Sequence, residues 1–95
     1  MIILIADSGS TKSDWLAIDE AGNELVNFST MGFNPYFHSS DFVEQKLSSQ
    51  TEVMKIALNV GKVFFYGAGS SSQDMCSIIE EGLTRVFSQA EIYVD

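Results

Sequence analysis

Apolar residues along this chain recur with two different periods, and the switches between them mark out its elements. Residues 2–6 (Ile-Ile-Leu-Ile-Ala) form a short unbroken apolar run ending at Asp7. A run of that length predicts a central strand covered on both faces. Trp15, Leu16, Ala17 and Ile18 predict a second strand, and Leu25 to Met31 a third, more polar one suited to a sheet edge. Between them, Asp19-Glu20-Ala21-Gly22-Asn23 reads as a hairpin turn in which Gly22 or Asn23 supplies a positive φ. Gly32-Phe33-Asn34-Pro35-Tyr36 reads as a loop, because the proline disfavours helical backbone at Asn34.

The period then lengthens. Val43, Leu47, Met54 and Leu58 fall on one stripe of a helix expected over 41–59, with Asp41 as its cap, Glu44 at the third position and Gly61 as its end. Its middle, Ser48-Ser49-Gln50-Thr51, is weakly helical. Met75, Ile78, Ile79, Gly82, Leu83, Val86 and Phe87 repeat at spacings of three and four and predict a second helix over 71–88. Val63-Phe64-Phe65-Tyr66 between the helices and Ile92-Tyr93-Val94 after them read as fourth and fifth strands. The order β-β-β-α-β-α-β describes an antiparallel meander feeding parallel crossover units. Right-handed crossovers can leave both helices on one face, so the apolar run at residues 2–6 calls for cover these elements do not supply.

Composition narrows the function classes. Ninety-five residues make one small domain at most, one that buries about two-thirds of its unfolded surface. No stretch approaches the roughly 18 apolar residues of a membrane helix, and no basic segment leads into an apolar run with a cleavage site. Cys76 is the single cysteine, which excludes an internal disulfide and fits a reducing cytoplasm. Thirteen acidic against five basic residues give a net charge of −8, which repels phosphate backbones and argues against a nucleic-acid partner. Any bound triphosphate must instead be held by backbone N–H groups, a metal ion and a few placed side chains.

The segment that most invites such a role is Asp7-Ser8-Gly9-Ser10-Thr11-Lys12-Ser13-Asp14. A carboxylate at the end of a buried strand is placed to hold a divalent ion, directly or through water. The small residues after it form a tight turn whose N–H groups can converge on phosphate oxygens. Gly9 permits close approach, and the Ser10 and Thr11 hydroxyls add donors. Composition alone leaves an ordinary polar hairpin turn equally open.

Followed by Trp15, this segment resembles the first phosphate motif of the superfamily of sugar kinases, actin and heat-shock ATPases. Within that superfamily it is most similar to the N-acetylglucosamine kinases and the BadF/BadG/BcrA/BcrD ATPase family. Gly32-Phe33-Asn34-Pro35 falls where the family's asparagine contacts the sugar, Phe65-Tyr66-Gly67-Ala68-Gly69-Ser70 at its small-residue turn, and Asp95 where its kinases keep the catalytic carboxylate. The resemblance implies an α/β, ribonuclease-H-like (actin-like ATPase) N-terminal lobe over residues 1–95. Its five-stranded mixed sheet would have the order 3-2-1-4-5 with two helices, and the lobe would be incomplete. It further implies transfer of the ATP γ-phosphoryl group to a sugar hydroxyl, N-acetylglucosamine first among candidates, with ATP and magnesium as cofactors. The implied roles are Asp95 as the base, Asp7 on the metal, and Gly9, Ser10, Thr11 and Lys12 on the ATP phosphates. Asn34, Gly67, Ala68, Gly69 and Ser70 would line the sugar. A full family member carries a second domain with the adenosine site, so residues 1–95 alone are expected to be inactive and to associate with the remainder of the chain or a second copy. A lone Cys76 does not suit the cluster-binding branch of the family.

Three other readings compete. Asp7-Ser8-Gly9-Ser10 also fits the signature of aspartic peptidases, whose viral type is a homodimer of short, nearly all-β chains. Gly67-Ala68-Gly69-Ser70-Ser71-Ser72, opening a helix after a strand with Asp95 ending the next strand, approaches a dinucleotide-binding unit, although Ser72 stands at the third glycine. The third is a non-catalytic binding module that kept the phosphate loop. His38, the one histidine, has no second ligand in view and reads as a surface residue.

Overall fold

Each apolar run becomes a strand somewhat longer than its apolar residues, because the polar residues flanking it also join the ladder. The computed structural model describes residues 1–9, 11–33, 39–67 and 73–95. Its strands are β1 (Ile2–Ser8), β2 (Lys12–Ile18), β3 (Glu24–Met31), β4 (Val60–Gly67) and β5 (Glu91–Val94). They form one five-stranded mixed sheet in the expected order β3-β2-β1-β4-β5. β1 to β3 are an antiparallel meander, and β4 and β5 add in parallel beside β1. Gly22 takes the positive φ that closes the β2–β3 turn. The Asp19 carboxylate holds that turn by accepting from the backbone N–H groups of Ala21 and Asn23, both at 2.9 Å.

Among the described residues three helices cover the sheet, where the sequence predicted two. The helix expected over 41–59 is broken into α1 (Ser40–Ser48) and α2 (Thr51–Ile56), the latter running into a 3₁₀ turn at Ala57–Asn59. The break lies in the weak Ser-Ser-Gln stretch. There the Ser49 hydroxyl donates to the Lys46 carbonyl at 2.8 Å, and Gln50 is extended with ψ 123°. A serine side chain that engages the last helical carbonyls competes with the ladder in this way. Breaking the helix shifts its phase, so Val53 and Ala57 are buried while Met54 and Leu58 point outward, contrary to the expected stripe. Ser39, not Asp41, caps α1, its hydroxyl accepting from the Phe42 N–H at 3.2 Å. Gly61 lies inside β4 rather than ending a helix. The last helix, α3 (Gln73–Val86), follows the predicted stripe, with Ile79 and Leu83 buried and Phe87 just beyond it.

Alternation along the strands separates two unlike faces. On one, Leu4, Ala6, Trp15, Ala17, Val63 and Phe65 are buried against α1 to α3 in a single core that also takes in Val43, Leu47, Ile79 and Leu83. On the other, Ile3, Ile5, Leu16, Ile18 and Phe64 are only half-buried, and Tyr66 and Tyr93 are exposed. Phe64 lies on this open face and stacks on Tyr93 with ring centroids 5.0 Å apart. The covered and open faces explain why the apolar run of β1 appeared to need cover on both sides.

α1 and α3 are drawn together at Gly82. A Cβ there would lie 2.7 Å from the Val43 Cβ and 3.1 Å from the Ser40 carbonyl oxygen. Around this contact Arg85 bridges the helices, pairing with Asp41, with Glu81 at 2.7 Å and with Glu44 at 3.5 Å. Gly82→Ala gains helix propensity, about 1 kcal/mol. Overpacking of roughly 1–3 kcal/mol opposes it. Net destabilisation in denaturant unfolding is therefore expected; unchanged or raised stability would show that the helix spacing yields easily.

Candidate active site

The carboxyl ends of β1, β4 and β5 meet at one edge of the sheet, and the predicted site residues that the structure describes gather there. Asp7 ends β1 on the open face, and its cross-strand neighbours in the register are Asp14 and Tyr66. Asp95 continues β5 one residue past the Phe65–Val94 pair. Its N–H donates to the Phe65 carbonyl at 2.9 Å, and its carbonyl accepts from the Gly67 N–H at 3.3 Å. Strand alternation puts Asp95 on the same open face as Tyr93, and its side chain is exposed. Asp14, Asp7, Tyr66 and Asp95 thus form one row. Asp7 and Asp95 are separated by two strand spacings, about 10 Å at the backbone.

The turn after β1 departs from expectation in one respect. The Gly9 N–H donates to the Lys12 carbonyl at 2.7 Å and closes the hairpin, so this donor is committed to the turn itself. A Cβ on Gly9 would meet only that carbonyl, at an ordinary 3.5 Å. Among the described residues, no neighbour therefore requires glycine at position 9. Thr11 and Lys12 are exposed. The Lys12 ammonium pairs with Asp14 at 3.2 Å, and the Ser29 hydroxyl donates to the same Asp14 oxygen at 2.9 Å. The Ser29 bond first, and Lys12 second, hold the Asp14 carboxyl below its ordinary range. A lowered carboxyl stabilises the fold above its ordinary range and loses that contribution as pH falls through the lowered value; full exposure keeps the contribution small.

Gly67 has a packing reason to be glycine that the sequence did not reveal. A Cβ there would lie 2.5 Å from the Phe65 ring. The Phe65 ring by itself is reason enough for glycine at this position. Ser10, Asn34, Ala68, Gly69 and Ser70 lie outside the described residues. Beside the row of acids the open face carries a hollow of about 410 Å³, whose polar lining includes Asp7, Asp14, Asn27 and Ser29.

Among known structures, the chain is similar over nearly its whole length to a protein of Porphyromonas gingivalis provisionally named an N-acetylglucosamine kinase. It is 33% identical over 98% of this chain, with a TM-score of 0.80. The fold is of the sugar-kinase, actin-like kind. This chain spans 34% of that protein's length. Looser likenesses extend to a ligand-bound xylulose kinase of Lactobacillus acidophilus, at 16% identity, 70% and 15% coverage and a TM-score of 0.47. Another is to an RNase H1 of Halobacterium salinarum, at 7% identity, 98% and 80% coverage and a TM-score of 0.42. No family model and no curated protein matches the sequence.

The α/β architecture lacks the nearly all-β build that the peptidase reading needs. β4, α3 and β5 do form a parallel β-α-β unit, but the antiparallel meander beside it is foreign to a doubly wound dinucleotide fold. Among the described residues, no helix is long and apolar enough to cross a membrane.

The site edge holds a feature that sequence reasoning passed over. Ser8 and Ser13 sit opposite one another on the covered face, buried at 4% and 0% exposure, with the Ser13 hydroxyl donating to Ser8 at 2.6 Å. The signal was available in the alternation Leu4, Ala6, Ser8 and Ser13, Trp15, Ala17, which points these hydroxyls inward.

Proposed function

We propose that these residues form the N-terminal lobe of an ATP-dependent sugar kinase that transfers the γ-phosphoryl group of ATP to a sugar hydroxyl, with N-acetylglucosamine the favoured acceptor. The observation that carries this reading is the meeting of Asp7, the turn at 9–12 and Asp95 at one sheet edge. Ligands in parallel sheets gather outside the carboxyl ends of the strands. The likeness to the Porphyromonas gingivalis protein supports it.

In this reading Asp95 takes the proton of the sugar hydroxyl as its oxygen attacks the γ-phosphorus and ADP departs. Thr11 and Lys12 face the phosphates together with Ser10, while the small Gly9 lets them come close to the backbone. Asn34 offers an amide donor and a carbonyl acceptor to sugar hydroxyls. Gly67, Ala68, Gly69 and Ser70 line the remainder of the acceptor site.

Among the described residues, no three His, Cys, Asp or Glu side chains cluster as a metal cage. The Asp7 carboxylate at a strand end, with Asp14 opposite it in the register, fits magnesium, which takes one or two carboxylates and fills its shell with phosphate oxygens and water. When bound with ATP, the ion would neutralise charge on the phosphates.

The test is ADP release by the full-length protein with ATP and magnesium against N-acetylglucosamine, other amino sugars, hexoses and no sugar. Release that depends on a sugar is expected. ATP hydrolysis indifferent to every sugar, or none at all, would overturn the reading.

A further inference from the structure

Three hydroxyls interrupt the apolar, helix-covered face of the sheet just below the candidate site: Ser8, Ser13 and Thr30, which the register sets in one row. Buried polar groups in such a layer need partners. Thr30 has an evident structural use. It accepts from the Trp15 indole N–H at 3.0 Å and donates to the Met31 carbonyl at 3.0 Å.

Ser8 is connected differently. Its oxygen accepts from Ser13 at 2.6 Å and from the Phe33 backbone N–H at 3.4 Å, and its proton points to the Gly9 carbonyl at 3.4 Å. A hydroxyl has one donor and two acceptor sites, so this one is fully used, and it joins three separate segments. Gly9 opens the turn assigned to phosphate. Phe33 is the residue before Asn34, and its ring is buried edge-on to Phe42 with centroids 6.4 Å apart. Phe33, next to Asn34 in the sequence, is thus held twice, by its ring in the core and by its amide on Ser8.

We infer that Ser8, anchored by Ser13, is a positioning residue that couples the phosphate turn to Phe33, and through it to the neighbouring Asn34, so that nucleotide and sugar bind cooperatively. The inference rests on the kinase reading. The short Ser13 bond fixes the oxygen in place. The two long bonds flanking it have room to tighten, so a phosphate that settles on the turn and shifts the Gly9 carbonyl reorients the hydroxyl and alters its grip on Phe33. Alanine at position 8 suits the apolar layer and keeps the hairpin register. It removes the Phe33 acceptor and breaks the connection.

The test uses the full-length protein, with a non-hydrolysable ATP analogue, magnesium and N-acetylglucosamine as probes, read by titration calorimetry and by hydrogen exchange at the Phe33 amide. In the unaltered protein the analogue is expected to tighten sugar binding at least about fivefold, the lower end of ordinary coupling. In Ser8→Ala and in Ser13→Ala that factor should fall below about twofold, with faster Phe33 exchange and no further loss in the double variant. Ser13→Thr, which keeps the hydroxyl, should retain more coupling than Ser13→Ala. Wild-type coupling in both alanine variants, or unchanged Phe33 exchange in Ser8→Ala, overturns the inference. Sugar-dependent ADP release with coupling indifferent to Ser8 sinks the coupling alone. An unaltered protein without sugar-dependent release sinks the kinase reading and the coupling with it.

Discussion

Asp95→Asn in the full-length protein is expected to lower turnover by about 10²–10⁴-fold, the usual worth of a general base, while leaving sugar affinity and stability nearly unchanged. The separation follows from how Asp95 is held. Its N–H and carbonyl are bonded to Phe65 and Gly67, so the ladder fixes its place without help from the side chain. The carboxylate is exposed, on the face it shares with Asp7. Asparagine preserves the shape and the backbone bonds but cannot accept a proton as a carboxylate does. An acid serving only to cap later backbone would behave the opposite way, with turnover kept and melting temperature lowered. That outcome would remove Asp95 from the chemistry.

Asp7→Asn should cut turnover by at least about 10²-fold, as when an electrostatic anchor for transferring phosphate is removed. Its signature differs from that of Asp95→Asn. The apparent requirement for magnesium should rise, since the amide brings no charge to the ion. The fold should tolerate the change, because Asp7 is exposed and no ion pair to it is seen among the described residues. Near-normal turnover at ordinary magnesium concentrations would count decisively against a metal-holding role.

The sheet was legible because its signals are local and strong. An unbroken apolar run gave β1, the apolar stretch from Trp15 to Ile18 gave β2, the more polar stretch from Leu25 to Met31 gave β3, and the Asp19–Asn23 turn chemistry joined β2 to β3. The first helix was less legible. Its apolar stripe could be continued through Ser48-Ser49-Gln50 only by assuming an unbroken phase, and a serine hydroxyl on the Lys46 carbonyl ends it there. Ser39 was missed as the cap because Asp41, two residues on, has equal capping chemistry. At the site, the positions of Asp7 and Asp95 followed from strand ends. Gly67 and Gly9 differ in a way composition cannot show: a Cβ would strike the Phe65 ring at one, and at the other would reach nothing closer than 3.5 Å among the described residues.

The mixed topology also bears on the order in which the site is assembled. Both hairpins of the meander pair neighbouring strands, whereas β1 meets β4 only by bringing Ile2 to Val60. Closing a longer loop costs more chain entropy, and non-local pairing is slow. Folding is therefore favoured to begin in the first third of the chain, where Ser8, Ser13 and Thr30 meet before β4 arrives. The turn proposed to hold phosphate and its hydroxyl support form early and from local contacts. The edge that carries Asp95 is the last part to come into register.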